Sequence, residues 1–417
     1  MWKYKCKSQF FILLGSFVVG VLLTVIMFST TSSVMLSEIL PEEMLGFIKN
    51  NFVLTCVSGG LGIAGIVNVV LISQLLMPLN QWVPIMIFML LFIAPSYVFM
   101  ISTMLVVPMM IVDLYGWLSL RSNTSRQVKM SKISDDKEFV RVYQIHHKLL
   151  PEYEGLAKEC RKNVTTASLV YSLGVVAIFC VLLFIENIIL LVLLLLFFMI
   201  AFNALLRFRS QQFIPITRLL YEQCDPEACA SAIIYYSTRR SGKVRLTQRA
   251  LLAQCLIYMN DPDLAQDILI TFPKKDPAST LTYWSLMGYI DYMLKDEDAL
   301  DRAYEEASKV RMNFGPTGVM IRSNELAGIK NKINLMNGDF NTCKQYYLQE
   351  VKSKPFPFQQ VDACYYIALI SFVEEEYKVA QMYFQKVVNH GNKMYFVQNA
   401  KTYLDKIDSM DLSDDEL

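Results

Sequence analysis

The segment SGGLGIAGIV, residues 58–67, contains the spaced glycines of a dinucleotide-binding fingerprint, at positions 60, 62 and 65. That fingerprint brings backbone amides against a pyrophosphate and needs an acidic residue about 20 positions later to hold the ribose. No Asp, Glu, Lys or Arg lies between Lys49 and Asp113. The sequence therefore predicts no dinucleotide or other cofactor here. An uncharged tract of this length is typical of membrane helices.

Other arrangements that could perform chemistry are incomplete. Ser58-Gly59 resembles the nucleophile segment of intramembrane serine proteases, but Cys56 stands where that motif has its first glycine, and no predicted span contains a histidine to act as base. The neighbouring His146 and His147 are expected to leave one helix on different sides, so they would not share a metal ion as an i, i+4 pair does. We predict no catalytic residue and no metal site, and an enzyme is the less favoured class.

Two acids lie within apolar tracts, Asp113 and Glu186. Intramembrane acids are functional candidates by default. Both lie near predicted span ends, where a carboxylate reaches water, and Asp113 is followed by Tyr115 and Trp117, which are typical of the membrane interface. The sequence favours a structural role for both acids and leaves a functional one open.

The composition predicts a chain that is partly embedded in a membrane. Its 417 residues are 54% hydrophobic and carry a net charge of +1, and their mean hydropathy is +0.34. Apolar tracts at residues 10–28 and 52–77 are each long enough to cross a hydrocarbon core of about 30 Å. Residues 82–120 would form two spans with a turn near Pro95, or one long kinked helix. A further tract at residues 166–206 is divided by Glu186 into a helical hairpin.

These tracts predict an all-α protein with about six membrane spans and four regions. Residues 1–120 hold four spans, or two if the tracts are less split. Residues 121–165 form an amphipathic linker, 166–206 the membrane hairpin and 207–417 a soluble domain. Nine cysteines without a C-x-x-C pair favour a reducing compartment for the soluble part.

The glycines of the second span are assigned to helix packing instead of nucleotide binding. Small residues four apart let one helix approach another closely. Ser58 with Gly62, and Gly60 with Ala64, form two such pairs.

The distribution of basic residues predicts the orientation of the spans, because Lys and Arg are retained on the cytoplasmic side. Three lysines precede the first span, acids dominate the loop at residues 30–50, and the segment after Leu120 has four basic residues before its first acid. Both termini and residues 121–165 are therefore predicted to be cytoplasmic, with residues 30–50 outside. We interpret the chain as an integral protein of a bacterial cell membrane.

The linker is predicted to contain an amphipathic helix that begins after the N-cap Asp135, has Glu138 three residues later and is broken by Pro151. Its apolar side chains would lie on the membrane surface or dock on the C-terminal domain. The sequence does not decide between these positions. The residues concerned are Phe139, Val142, Tyr143 and Leu149.

From residue 246 onward the pattern changes to short amphipathic helices that repeat. Repeat starts at residues 246, 281, 324 and 361 have spacings of 35, 43 and 37. Small residues are expected where paired helices approach, and a large aromatic is expected to fill the adjacent gap. The residues assigned to these packing positions are Trp284, Gly288, Tyr304, Ala307, Ala368, Ala380 and Phe384.

Over residues 246–404 this pattern resembles the tetratricopeptide repeat (TPR) family, whereas the membrane half resembles no family. The resemblance implies an α-solenoid whose first helices line a groove for a protein segment. It places Tyr289, Tyr292, Met293 and Tyr365 in that groove, with Lys332 among its other positions.

The sequence thus predicts a membrane-anchored scaffold or adaptor that binds a protein partner on the cytoplasmic face and binds no nucleic acid. The alternative is a membrane enzyme or transporter whose TPR domain recruits its partners. A set of polar residues inside the membrane bundle would favour the alternative, and a bundle packed through glycines would favour the scaffold.

Overall fold

The computed structural model describes residues 3–30, 50–76, 95–130, 133, 135–182, 211–239, 242–312 and 315–410, together with parts of 197–208. Apart from one isolated bridge between Thr238 and Val244, the regular structure of these residues is helical. This confirms the predicted all-α class.

The chain divides into two compact units. The first comprises Met1–Gln127, Pro273–Thr282 and Ala307–Glu325, and the second comprises Val128–Phe272, Tyr283–Glu306 and Leu326–Leu417. The first unit contains helices α1 (Lys3–Thr30), α2 (Phe52–Leu76) and most of α3 (Pro95–Met130).

Three helices in the described residues are long and apolar enough to cross a membrane, at Cys6–Ile26, Phe52–Ile72 and Ser96–Leu120. The count of six spans depends on further tracts, of which residues 77–94 and 183–196 lie outside the described residues, as does Glu186. Within 82–120, the described part is one helix that begins at Pro95.

Helices α1 and α2 pack through glycine. A Cβ atom added to Gly20 would lie 2.7 Å from the carbonyl oxygen of Gly59 and 2.8 Å from the Cα atom of Gly60, and one added to Gly60 would lie 2.8 Å from the ring of Phe17. Gly59 similarly faces Thr24. Thr24, which comes after Gly20 in α1, faces Gly59, whereas Gly20 also faces Ile63, which comes after Gly59 in α2. Residue numbers therefore rise in opposite directions, and the two helices are antiparallel.

Helices α2 and α3 are joined by buried hydrogen bonds. The Asn68 amide donates to the carbonyl oxygen of Ser102 at 3.0 Å, and the Ser102 hydroxyl donates to that of Gly65 at 2.7 Å. Gly62 faces Phe99 and Gly65 faces Thr103, so residue numbers rise together along both helices. Helices α2 and α3 therefore run parallel.

The four residues assigned to membrane-helix packing have different environments. Gly60 and Ala64 are buried. A Cβ atom added to Gly62 would lie 3.6 Å from the ring of Phe99, which is an ordinary van der Waals contact. Ser58 is exposed within this unit. The close approaches involve Gly60 as predicted, together with Gly20, Gly59 and Gly65, which the sequence pattern did not single out.

The second unit is built from short helices. It starts with α4 (Asp136–His146), a 3₁₀ turn at Pro151–Tyr153 and α5 (Glu154–Leu182). The chain continues through α6 (Ile214–Tyr221), α7 (Pro226–Ser237), α8 (Arg249–Tyr258), α9 (Pro262–Ile270), α10 (Pro277–Leu294), α11 (Glu297–Ser308), α12 (Gly315–Met336), α13 (Phe340–Ser353), α14 (Pro357–Val373), α15 (Tyr377–His390) and α16 (Tyr395–Ser409).

The linker helix α4 docks on the C-terminal domain, which settles the alternative that the sequence leaves open. Asp135 caps the helix by accepting from the amides of Lys137 and Glu138. Phe139 and Tyr143 are buried in one apolar core with the residues of α7 and α8. Residues 135–165 are therefore a structural part of the second unit and not a free linker.

Polar contacts hold the same region in place. Asp136 accepts from the backbone amide of Leu246 at 2.8 Å and pairs with Arg249. The Arg161 guanidinium donates to the backbone carbonyls of Tyr235 and Tyr236 at the end of α7. The start of α5 is thereby fixed to the domain before the helix continues into its apolar part.

Four helix pairs share one type of turn. Each turn has a single left-handed residue: Asn260, Lys295, Gly338 or Glu375, which follow one another at intervals of 35, 43 and 37 residues. In each, the next residue donates its amide to a carbonyl five positions earlier, as Asp261 does to Leu256 at 2.9 Å. The structure therefore contains four repeated helical hairpins with the spacings read from the sequence.

The small residues assigned to the hairpins are buried. A Cβ atom at Gly288 would lie 3.2 Å from Ile329, while Ala307, Ala368 and Ala380 are fully buried. The ring of Phe384 is also fully buried and stacks on that of Tyr403 at 5.0 Å. Trp284 and Tyr304 are only partly buried, so they contribute less to this packing than the sequence pattern predicts.

Candidate functional site: a lysine enclosed by tyrosines

Three helices of the second unit, α10, α13 and α14, direct aromatic rings around one ammonium group, that of Lys332 on α12. The Lys332 Nζ atom lies 3.5 Å from the ring centroid of Tyr366, 4.1 Å from that of Tyr289, 5.0 Å from Tyr292 and 5.5 Å from Tyr347. It also donates to the Tyr347 hydroxyl at 3.0 Å. Only 6% of Lys332 is exposed. We call these five residues the tyrosine cage.

Helical spacing explains how the cage forms. Tyr289 and Tyr292 are three residues apart on α10, so their side chains leave the helix on one face. On α14, Asp362 and Tyr366 are four residues apart and likewise share a face. The Tyr289 hydroxyl lies 2.6 Å from the Asp362 carboxylate and 3.1 Å from the Tyr366 hydroxyl, which links α10 to α14.

The electrostatics of the cage are dominated by burial. Burial lowers the pKa of Lys332 to about 8, and the Asp362 carboxylate partly opposes this shift. Burial raises the pKa of Asp362, while Lys332 and the Tyr289 hydroxyl act in the opposite direction. Burial also raises the pKa of Tyr292 to about 12. Near neutral pH the lysine is therefore mostly charged and the tyrosines are neutral.

This arrangement stabilises a buried cation. Cation–π contacts with several rings stabilise an ammonium group that has lost its water shell. The tyrosine hydroxyls of the cage titrate too high to act as bases near pH 7. The cage thus holds α10, α12, α13 and α14 together around an internal cation.

Part of the cage reaches the surface, and we call this part its open side. Tyr289, Tyr292 and Asp362 are partly exposed, and so is Met293, which follows Tyr292 on α10.

Comparison with protein-family models, curated proteins and solved structures found no match to this chain. The resemblance to the TPR family therefore rests on the sequence pattern alone.

The four residues predicted to bind a partner do not lie together on one exposed surface. Tyr289, Tyr292 and Met293 are partly exposed on α10, and the first two also contact Lys332. Tyr365, in contrast, is 5% exposed and stacks on the ring of Phe396 at 4.3 Å. Its hydroxyl accepts from the Asn399 amide at 3.1 Å, so it is placed in the core.

Two cage residues, Tyr347 and Tyr366, and the adjoining Asp362 were not predicted from the sequence. One signal was available, since Asp362 is the only charged residue in the apolar segment 355–373. A single carboxylate in such a helix indicates a buried polar partner. The identity of that partner depends on the packing of α12 against α14, which no local pattern reveals.

Proposed function

We propose that this chain is a membrane-anchored scaffold whose helical-repeat domain binds a segment of a protein partner on the cytoplasmic side. The observation that supports this best is the open side of the cage, where Tyr289, Tyr292, Met293 and Asp362 are partly exposed on a rigid set of helices. Partly exposed tyrosines concentrate binding energy because they bury a large area at a small entropic cost. The internal cation fixes their rings before a partner arrives.

The direction of the membrane helices supports a four-span arrangement of residues 1–120. Helices α2 and α3 run parallel, so Leu76 and Pro95 belong at opposite faces of a membrane. The parallel direction agrees with cytoplasmic positions for the N-terminal lysines and for the basic segment after Leu120.

We predict that a photo-crosslinking amino acid at Met293 captures one discrete partner in intact cells, since this partly exposed residue follows Tyr292 on α10. The matched control is the same amino acid at Val373, which is 59% exposed and belongs to the same domain. Adducts are resolved by electrophoresis and identified by mass spectrometry. Equal or stronger crosslinking at Val373, or none at Met293, would show that the open side of the cage is not the binding surface.

We predict that Ser33→Cys reacts with an impermeant thiol reagent in intact cells and that Ser125→Cys reacts only after the membrane is opened. Both changes are made in a background without other cysteines. The expected pattern follows from the basic residues that flank Ser125. Labelling of Ser125→Cys alone in intact cells would reverse the orientation and place the repeat domain outside.

One observation favours the second candidate function, a membrane transporter or enzyme with a recruitment domain. Asp113 is fully buried in the first unit beside Cys6, and Gln9 is 4% exposed. Buried acids in membrane helices mark proton or ion pathways in many transporters. If this function holds, Asp113→Asn abolishes transport or turnover and leaves crosslinking at Met293 unchanged, whereas a scaffold tolerates the substitution.

A further inference from the structure

The end of α4 and the start of α9 bring two histidines and an aspartate together. The Nδ1 atom of His146 lies 2.8 Å from Oδ2 of Asp261, and the Nε2 atom of His147 lies 2.9 Å from the same oxygen. The three potential ligand atoms all lie within 4.8 Å of one another. Two of the three histidines in the chain thus converge on a single carboxylate.

The helical spacing that argued against this arrangement does not apply, because α4 ends at His146. The backbone of His147 is extended, with φ −135° and ψ 157°, so its ring no longer follows the helical period. The expectation that the two rings point to different sides is therefore wrong. A helix end allows adjacent histidines to act together, which a continuous helix does not.

We propose that His146, His147 and Asp261 form a binding site for a divalent transition-metal ion of the Zn²⁺ class. Imidazole nitrogen and carboxylate oxygen are the ligands such ions use, and three protein ligands leave further positions for water. Ligands of a tetrahedral zinc ion lie about 3.3 Å apart when each bond is about 2.0 Å long. The observed separations need only small side-chain rotations to reach that geometry.

The surroundings support the site in two ways. Asp261 is held in place because its second oxygen accepts the Leu264 amide at the start of α9, at 3.2 Å. Such a contact orients a ligating carboxylate. The His147 ring packs 5.3 Å from that of the buried Tyr143, whereas the His146 side chain is 44% exposed. One side of the site is therefore rigid and the other is open to water and to an entering ion.

Bound metal would join α4 to α9 and so fasten residues 135–147 to the repeat domain. The site lies apart from the tyrosine cage and does not depend on the proposed partner binding. Its chemistry predicts that the ion stabilises the folded state, because the ligands come from segments far apart in sequence and are dispersed on unfolding.

The test uses the full chain in mild detergent, stripped with a chelator and titrated first with Co²⁺. We expect saturation at one ion per chain, with the visible absorption bands of nitrogen and oxygen coordination. Intense near-ultraviolet bands from sulfur ligands would instead assign the ion to cysteine and overturn the proposal, as would the absence of saturable binding. This measurement needs no variant.

Competition with a chromophoric zinc chelator then assigns the ligands. We expect His147→Gln and Asp261→Asn each to weaken Zn²⁺ binding by about ten-fold or more, since loss of even a supporting contact has an effect of this size. His390→Gln is the matched control, as it alters the one remaining histidine, and should leave binding unchanged. Zn²⁺ should raise the melting temperature of the parent chain and of the control only. Equal affinities in all four proteins would overturn the assignment.

Discussion

Gly20→Ala is expected to disrupt the membrane bundle, whereas Gly15→Ala in the same helix is expected to be tolerated. A methyl group at Gly20 would overlap backbone atoms of Gly59 and Gly60, at 2.7 and 2.8 Å, so no side chain can move aside to admit it. Helices α1 and α2 would have to separate. Overpacking of a well-packed contact typically costs about 1 to 3 kcal/mol, and we expect the upper part of that range here.

The control separates this effect from any general effect of alanine. A Cβ atom at Gly15 meets no other atom within 4 Å, and alanine is the better helix former. The measurement is the melting temperature of the full chain in one detergent at one heating rate, followed by circular dichroism. A similar melting temperature for both variants would contradict the close approach of α1 and α2 at Gly20.

The sequence predicts the helical class, the three described spans and the spacing of the helical hairpins because these depend on local periodicity. It identifies Gly60 among the close contacts of α2 but does not single out Gly59 and Gly65. Small residues occur at 58, 59, 60, 62, 64 and 65, so the composition shows a small face but does not fix its rotation. That rotation depends on partners such as Thr24 and Thr103, which lie in other helices.

The linker illustrates the same limit. Its amphipathic helix and the N-cap Asp135 are correctly predicted, because both are encoded within a few residues. The choice between membrane and domain depends on Phe139 and Tyr143 finding an apolar surface on α7 and α8. The cluster of His146, His147 and Asp261 was missed for a related reason. The helical period was applied to His147, although helix α4 ends at His146.

Lys332 is expected to be the residue of the repeat domain whose replacement has the largest effect on stability. Lys332→Ala would leave a void between four helices and remove the cation that the rings of Tyr289, Tyr292, Tyr347 and Tyr366 enclose. Removal of one member of a buried charged group typically costs about 3 to 5 kcal/mol. Lys332→Met keeps most of the volume and removes the charge, so its loss should be smaller.

The pH dependence of this effect has a definite sign. Burial lowers the pKa of Lys332 to about 8 in the folded chain, whereas an exposed lysine titrates near 10.4. Between these values the unfolded chain binds more protons at this position than the folded chain does. The free energy of unfolding therefore rises with pH in this window, by about 1 to 2 kcal/mol from pH 7.5 to 9.5.

The difference in melting temperature between the parent chain and Lys332→Met isolates this contribution, because the neighbouring tyrosines are common to both proteins. Their raised pKa values act in the opposite direction, and only as the pH approaches 10, where tyrosines of the unfolded chain begin to lose protons. The parent should gain stability relative to the variant from pH 7.5 to 9.5. A constant difference across this range would mean that Lys332 reaches water, and the cage would then be an exposed surface in place of an internal support.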